Sequence, residues 1–141
     1  MDYAEAHILP IYEKHVPNDL RPKMAIDAAR RWFNGEVKLP EVKRIILHEC
    51  HGAARELEDN LAAQAAARAC GQAAACFHTS THSLGLAFYG AAAIAYDQVG
   101  TGESPEVYDK IAAEECAKME AALQVMAVAN EPNPAKINWN C

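Results

Sequence analysis

The alanine-rich segment from Leu61 to Phe77 constrains the fold more than any other part of the chain. Almost every residue in it is small, and Asp59-Asn60 just before it offers a helix cap. Such a helix gains little from burying each side chain, but its backbone can lie very close to a neighbouring helix. Gly71 in its interior costs about 1 kcal/mol relative to alanine, which indicates a packing reason for the glycine. The segment therefore predicts a helix that packs closely against its neighbours.

Histidines and cysteines are concentrated around this segment. The stretch from His48 to Gly90 holds four of the six histidines and three of the five cysteines. It contains three consecutive predicted helices, which cannot all lie on the surface, and it places imidazoles beside small residues. We therefore expect a polar site within a helical core.

Helical periodicity continues through the rest of the chain, and no strand alternation is found. The segment 82–99 is apolar or small on every side, which is typical of a central helix, whereas the last helix carries a charged face and is expected to be peripheral. The sequence predicts an all-α, compact single-domain bundle of five to six helices, with helix 82–99 central. The predicted helices are residues 2–16 with a break near Pro10, 22–34, 40–57, 61–77, 82–99 and 104–129.

The predicted domain covers residues 1–129. Residues 130–141 show no periodicity, and they predict an irregular C-terminal tail that is either disordered or held to the body through Ile137 and Trp139.

Length and charge exclude several classes of function. A chain of 141 residues forms one domain with a real core, and its net charge of −6 argues against binding a phosphate backbone, so no nucleic acid partner is expected. The longest apolar run, Leu84–Tyr96, is shorter than the ~20 residues of a membrane span. The first residues show no signal pattern and no CxxC pair occurs, which favours a cytoplasmic protein with reduced thiols. The oligomeric state is left open.

Metal binding is the first chemistry that the histidine spacings suggest. His48-x-x-His51 and His78-x-x-x-His82 have spacings that zinc sites use. However, Ser80-Thr81 reads as a helix start, so His78 and His82 are not expected to share one regular helix. No HExxH motif is present, and neither a bound metal nor another cofactor is expected.

A cysteine nucleophile is the second possibility. Cys50 lies beside His51, and Cys76 lies near His78, but neighbours on a helix point about 100° apart. Cys70 and Cys76 are set among alanines and read as small buried apolar residues.

A polar stripe on the third helix is the remaining candidate. Arg44, His48, His51 and Arg55 are spaced by four, three and four residues, so they share one side of the helix. The stripe is either a solvated face that could bind an anion, or it points inward. In the second case His51 and Arg55 would meet His78, His82 or Tyr89, since His82 and Tyr89 share one face of the fifth helix.

Three blocks of the sequence resemble a known family. They are DLRPKMAIDAARRWFNGE, HGAARE and ARACGQAAACFHTSTHSLGLAFYG, and together they span roughly residues 18–96. The chain resembles the small bacterial family of Imm-5-like putative immunity proteins, and it departs from the pattern at Gln72, where that family has histidine. The matching residues are Asp19, Arg21, Pro22, Arg30, Trp32, His51, Arg55, Glu56, Gly71, His78, His82, Gly85 and Tyr89.

The resemblance implies an all-α cytoplasmic protein that binds and neutralises a partner toxin, for which the charge of −6 favours a basic partner. Its recognition surface would use the acids of the sixth helix, Glu106, Asp109, Glu114, Glu115 and Glu120, together with Trp139. The polar cluster would then be structural.

The alternative is a small-molecule or metal-dependent enzyme using His51, His78 and His82 in a helical pocket. The candidate cluster or pocket consists of His51, Arg55, His78, His82, Tyr89, Arg21 and Arg30, and the candidate metal ligands are His48, His51, His78 and His82.

Overall fold

Helices account for all the regular secondary structure in the part of the chain that the structure, a computed structural model, describes, which is residues 1–134 and residue 136. The all-α prediction is confirmed. The described helices are α1 (a π-helical turn Ala4–Ile8 followed by Leu9–His15), α2 (Arg21–Phe33), α3 (Leu39–Arg44, a π-helical segment Ile45–Cys50, and His51–Arg55), α4 (Leu61–Ala75), α5 (His82–Val99) and α6 (Pro105–Met126).

Two of these helices contain π-helical segments. In α1, Pro10 follows the π-helical turn and lies at the start of the α-helical part, where a missing N–H is tolerated. In α3, the wider turns change which side of the helix later residues occupy. Glu49, which a regular helix would place on the apolar face, instead binds Arg44, with Oε1 2.8 Å from Nη1.

Helix α4 lies at the centre of the bundle, because it packs against α1, α2, α3 and α5. The side chain of Asn60 caps it by accepting a hydrogen bond from the backbone N–H of Ala63 at 3.1 Å. Its buried residues are Ala62, Ala63, Ala65, Ala66, Ala67, Ala69, Cys70, Gly71, Ala73, Ala74 and Ala75. The larger core side chains come from its neighbours, including Ile8, Tyr12, Ile26 and Val42, all fully buried.

The prediction that helix 82–99 is central was wrong. In α5 the buried residues are Gly90, Ala91, Ala93 and Ala95, whereas Leu84, Phe88 and Tyr89 are exposed. A helix that is apolar all round is central only if other helices cover every side. Here α4 covers one side of α5 and α6 covers part of another.

Helix α6 is peripheral and ends at Met126, three residues before the predicted end. Its one buried residue is Glu115, which accepts hydrogen bonds from the Tyr3 hydroxyl and from Lys118 Nζ at 3.1 Å. Gly90 of α5 lets α6 approach, because a Cβ there would lie 2.9 Å from the Met119 methyl carbon. The predicted contacts of Ile137 and Trp139 lie outside the described residues. No helix in the described part is both long and apolar enough to span a membrane.

Candidate functional site

His51 lies where α3 crosses α4, and Gly71 makes room for it. A Cβ on Gly71 would lie 2.6 Å from His51 Cε1, which is closer than real Cβ contacts, so only glycine lets the imidazole sit against the α4 backbone. His51 Nδ1 is buried and has no hydrogen-bond partner among the described residues. Burial lowers the pKa of His51, and the nearby charges of Arg68, Arg55 and His82 lower it further.

His82 and Gln72 form the next contact, between α5 and α4. His82 Nδ1 lies 2.6 Å from Gln72 Oε1, so the imidazole N–H donates to the amide oxygen. The Gln72 side chain in turn lies against Gly85, where a Cβ would be only 2.6 Å from Gln72 Cγ. Burial lowers the pKa of His82, with a smaller effect from His78. The Gln72 side chain therefore anchors this histidine.

His78 sits at the outer end of this group, in the turn between α4 and α5. Its Nδ1 lies 2.5 Å from the carbonyl oxygen of Ala75, and its ring stacks on His82 at a centroid distance of 5.6 Å. Tyr89 lies further along α5 and is reached by Arg68, whose guanidinium carbon is 5.9 Å from the centre of the phenol ring. Histidines from α3, α5 and the α4–α5 turn thus lie along one side of α4, which supplies Arg68 and Gln72 between them.

The two predicted site arginines of α2 lie elsewhere. Arg30 Nη2 binds Asp2 at 2.9 Å and Glu5 at 2.5 Å, which ties α2 to the first residues of the chain. Arg21 belongs to a separate ion-pair group at the other end of α2. The predicted set of residues is therefore divided between three places in the fold.

The Arg21 group joins α1, α2 and α3. Arg21 donates to Asp19 through Nε and Nη2, and to both carboxylate oxygens of Glu56 at 2.9 and 2.6 Å. The buried Tyr12 hydroxyl donates to Asp19 at 2.7 Å. Hydrogen bonds from Arg21 and then Tyr12 lower the pKa of Asp19 to about 2, so this carboxylate stays charged across the physiological range.

Arg55 and His48 complete the list of predicted residues. Arg55 is exposed, and its Nη2 donates to the carbonyl oxygen of Leu47 at 3.3 Å. His48 is also exposed. The described residues include no group of three or more His, Cys, Asp or Glu side chains placed to hold a metal ion.

The thiols near the histidines are buried or half-buried rather than activated. Burial raises the pKa of Cys50 to about 12, and its Sγ donates to the carbonyl oxygen of Ala67 at 3.2 Å. Burial also raises the pKa of Cys70 and of Cys76. Because the thiolate is the reactive form, none of these three is prepared for nucleophilic attack.

Two open cavities flank α6, and both are lined by residues other than these histidines. A cleft of about 620 Å³ lies between α1, α5 and α6 and contains Tyr3, His7, Asp97, Glu115 and Lys118. A groove of about 350 Å³, which we call the α5–α6 groove, lies between α5 and α6 on another side. The α5–α6 groove is lined by Ala87, Phe88, Ala91, Ala92, Ala95, Tyr96, Tyr108, Asp109, Ala112, Ala113 and Cys116.

The three sequence blocks meet in these contacts. Arg21 of the first block donates to Asp19 in the same block and to Glu56 of the second, and His51 of the second packs on Gly71 of the third. The family model of the Imm-5 like putative immunity protein matches residues 1–122, which is most of the chain. The chain belongs to this family. A comparison with curated proteins finds no match, and a comparison with solved structures finds none either.

In this member of the Imm-5 like family, sequence reasoning missed Arg68 and the part played by Gln72. A signal was present, because Gln64, Arg68 and Gln72 are spaced by four residues and form the one polar stripe of the alanine-rich helix. All three are half-buried, and Gln64 Nε2 donates to the carbonyl oxygen of Leu57 at 3.3 Å. The stripe marks the side of α4 on which the histidines gather.

Proposed function

We propose that this chain is an immunity protein that binds a toxin domain and neutralises it by occlusion, without catalysing a reaction. Membership of the Imm-5 like putative immunity protein family is the observation that carries this proposal. An occluding protein needs a recognition surface rather than a reactive centre, so the relevant property is what the chain exposes.

The exposed surface supports a protein partner. Large contiguous apolar patches on a soluble protein mark interaction sites, and apolar side chains remain exposed along the outer helices. On α5 and at the end of α6 and beyond it these are Leu84, Phe88, Tyr89, Val99, Leu123, Val125, Met126 and Val128. The net charge of −6 supports a basic partner, because opposite charge speeds the encounter.

The predicted recognition acids divide into two kinds. Glu106, Asp109, Glu114 and Glu120 are exposed and available to a partner. Glu115 is not, because it is buried against Tyr3. Trp139 lies outside the described residues.

Under this proposal the histidine group is structural. His51 and His82 are held by close packing at Gly71 and by Gln72, and both favour the neutral imidazole. Such contacts fix how α3 and α5 lie against α4. One feature favours the alternative, a small-molecule enzyme using His51, His78 and His82: the buried His51 Nδ1 has no hydrogen-bond partner within residues 1–134 and 136.

The test is co-expression of the chain with the products of its neighbouring genes, scored by rescue of growth and by co-purification. We expect one toxin domain to co-purify with the chain, and growth to be rescued by wild type and by His78→Ala, which removes an exposed imidazole. If no partner binds, and His51→Ala instead abolishes an activity found by substrate screening, the enzyme replaces this proposal.

A further inference from the structure

The α5–α6 groove has the length and the apolar floor that a bound helix requires. Its floor is made of alanines from both helices, and Phe88, 70% exposed, stands at its wall with Tyr96 and Tyr108. The lining residues extend from Ala87 to Tyr96 on α5, a distance of roughly 13 Å at 1.5 Å per residue. That length accepts two to three turns of a partner helix. Because alanine ends at Cβ, large side chains of a partner can reach the floor.

The charges around the groove are mainly acidic. Asp109 is the charged side chain among the described residues that line it. Glu106 lies three residues before Asp109, and Glu120 lies four residues after the lining residue Cys116, so both continue the same side of α6. Both glutamates are exposed. By the same spacing, the exposed Lys110 lies three residues before the lining residue Ala113, so the apolar floor is bordered along α6 by three carboxylates and one lysine.

We propose that the α5–α6 groove binds a basic amphipathic helix of the toxin domain. Large apolar side chains of that helix would lie on the alanine floor against Phe88, and lysine or arginine beside them would face Glu106, Asp109 and Glu120. This is the helix-in-groove mode of recognition, in which the apolar positions give the affinity and the flanking charges give selectivity. The inference rests on the proposed function for the identity of the partner, but not for the chemistry of the groove.

A second copy of the chain fits the groove less well. In a symmetric pair, each α6 would bring its own acids against the same acids of its partner, and like charges held together in an interface are unfavourable. The carboxylates instead match a partner of opposite charge. We therefore assign the groove to a basic helix rather than to self-association.

The experiment uses two synthetic 16-residue helices as probes. Both carry leucine at positions spaced by three and four residues, and they differ only in having lysine or glutamate beside the leucine stripe. Binding is measured by fluorescence anisotropy and by the alkylation rate of Cys116, which is exposed and lines the groove. A Cys141→Ser background removes the cysteine that lies outside the described residues.

We expect the lysine helix to bind and to slow alkylation of Cys116, and the glutamate helix to do neither. Phe88→Ala should weaken binding at least ~10-fold, as expected for a central aromatic anchor. Asp109→Asn should weaken it less, by an effect that fades at high salt. Leu47→Ala and Glu58→Gln are the matched controls, since both residues are exposed away from the groove, and they should change affinity less than ~2-fold. Circular dichroism confirms that each variant is folded.

Three results would overturn the inference. Equal binding of both helices would remove the charge selection, and binding of neither would remove the site. Protection of Cys116 by self-association, seen in sedimentation without peptide, would give the groove to a second copy. The two proposals fail separately: a co-purifying toxin unaffected by Phe88→Ala refutes the groove alone, whereas peptide binding without any toxin partner refutes the immunity function alone.

Discussion

The same residue type, alanine, serves opposite purposes in two regions of this molecule. On α4, alanines are buried against α1, α2, α3 and α5, and they let four helices approach one backbone. Between α5 and α6, alanines form the floor of an open groove, and the large side chains nearby, such as Phe88, are exposed. Small residues allow close approach in both regions, but within residues 1–134 and 136 only the first region is filled by other parts of the chain.

This difference separates the part of the fold that holds itself together from the part offered to a partner. The α1–α4 region buries Tyr12, Ile26 and Val42 completely, and the Arg21 group joins its helices. Helix α6 buries only Glu115 and contacts mainly α5. We therefore expect stability to depend on the first region and binding on the second.

The largest expected effect comes from a cavity at the fully buried Ile26. Ile26→Ala should lower the free energy of unfolding by about 2–5 kcal/mol, because the alanines around it cannot collapse into the space. Urea denaturation followed by circular dichroism measures the loss. A change below about 1 kcal/mol would mean that the core around α2 is loosely packed, and the comparison between the regions would fail.

The next effect tests the contact between α3 and α4. Gly71→Ala should cost about 1–3 kcal/mol through collision with His51, although alanine gains up to about 1 kcal/mol in helix propensity. Gly52→Ala is the matched control, because a Cβ there meets nothing closer than 3.8 Å and should leave the free energy of unfolding unchanged or raised.

A double variant completes this test. Adding His51→Ala to Gly71→Ala should recover part of the loss, since the colliding ring is gone, and a double-mutant cycle measures the coupling. If Gly71→Ala is as stable as Gly52→Ala, the imidazole does not require a glycine there.

The pH dependence of stability is a further test of the contact between His51 and α4. The pKa of His51 is below its usual 6.5 in the folded chain, so the unfolded chain binds more protons near that pH. The contribution of His51 to the free energy of unfolding is therefore complete above about pH 6.5. It is lost as the pH falls from there toward the lowered pKa. The free energy of unfolding measured between pH 7.5 and pH 5 should fall less in His51→Gln than in wild type.

The exposed His48 on the same helix provides the control, and His48→Gln should follow the wild-type curve. An unchanged curve for His51→Gln would show that His51 titrates alike in both states. The loss of Asp19 charge does not interfere, because the pKa of that carboxyl is about 2.

The smallest effect is expected at the exposed end of α6. Leu123 is 69% exposed, so Leu123→Ala should change the free energy of unfolding by no more than about 0.5 kcal/mol in the same denaturation experiment. A loss comparable to that of Ile26→Ala would place Leu123 in a packed interface and remove the distinction between the regions.

The sequence by itself determined the all-α fold, the approximate helix bounds and the family. These depend on local signals, namely periodicity, caps and motif blocks, which act within one helix or one short segment. The cap at Asn60 and the start of α6 at Pro105 followed from such signals. A glycine inside the alanine-rich helix also predicts close packing at Gly71, and His51 lies there.

Only the tertiary structure decided which helix is central and which polar residues meet. The apolar surface of α5 is buried only where neighbouring helices lie against it, and among the described residues Phe88 remains 70% exposed. Contacts between residues far apart in the chain place Arg21, Arg30 and His51 in three different parts of the fold. Such a contact also buries Glu115 beside Tyr3. The π-helical turns of α3 change the direction of its side chains, which a regular helical wheel does not anticipate.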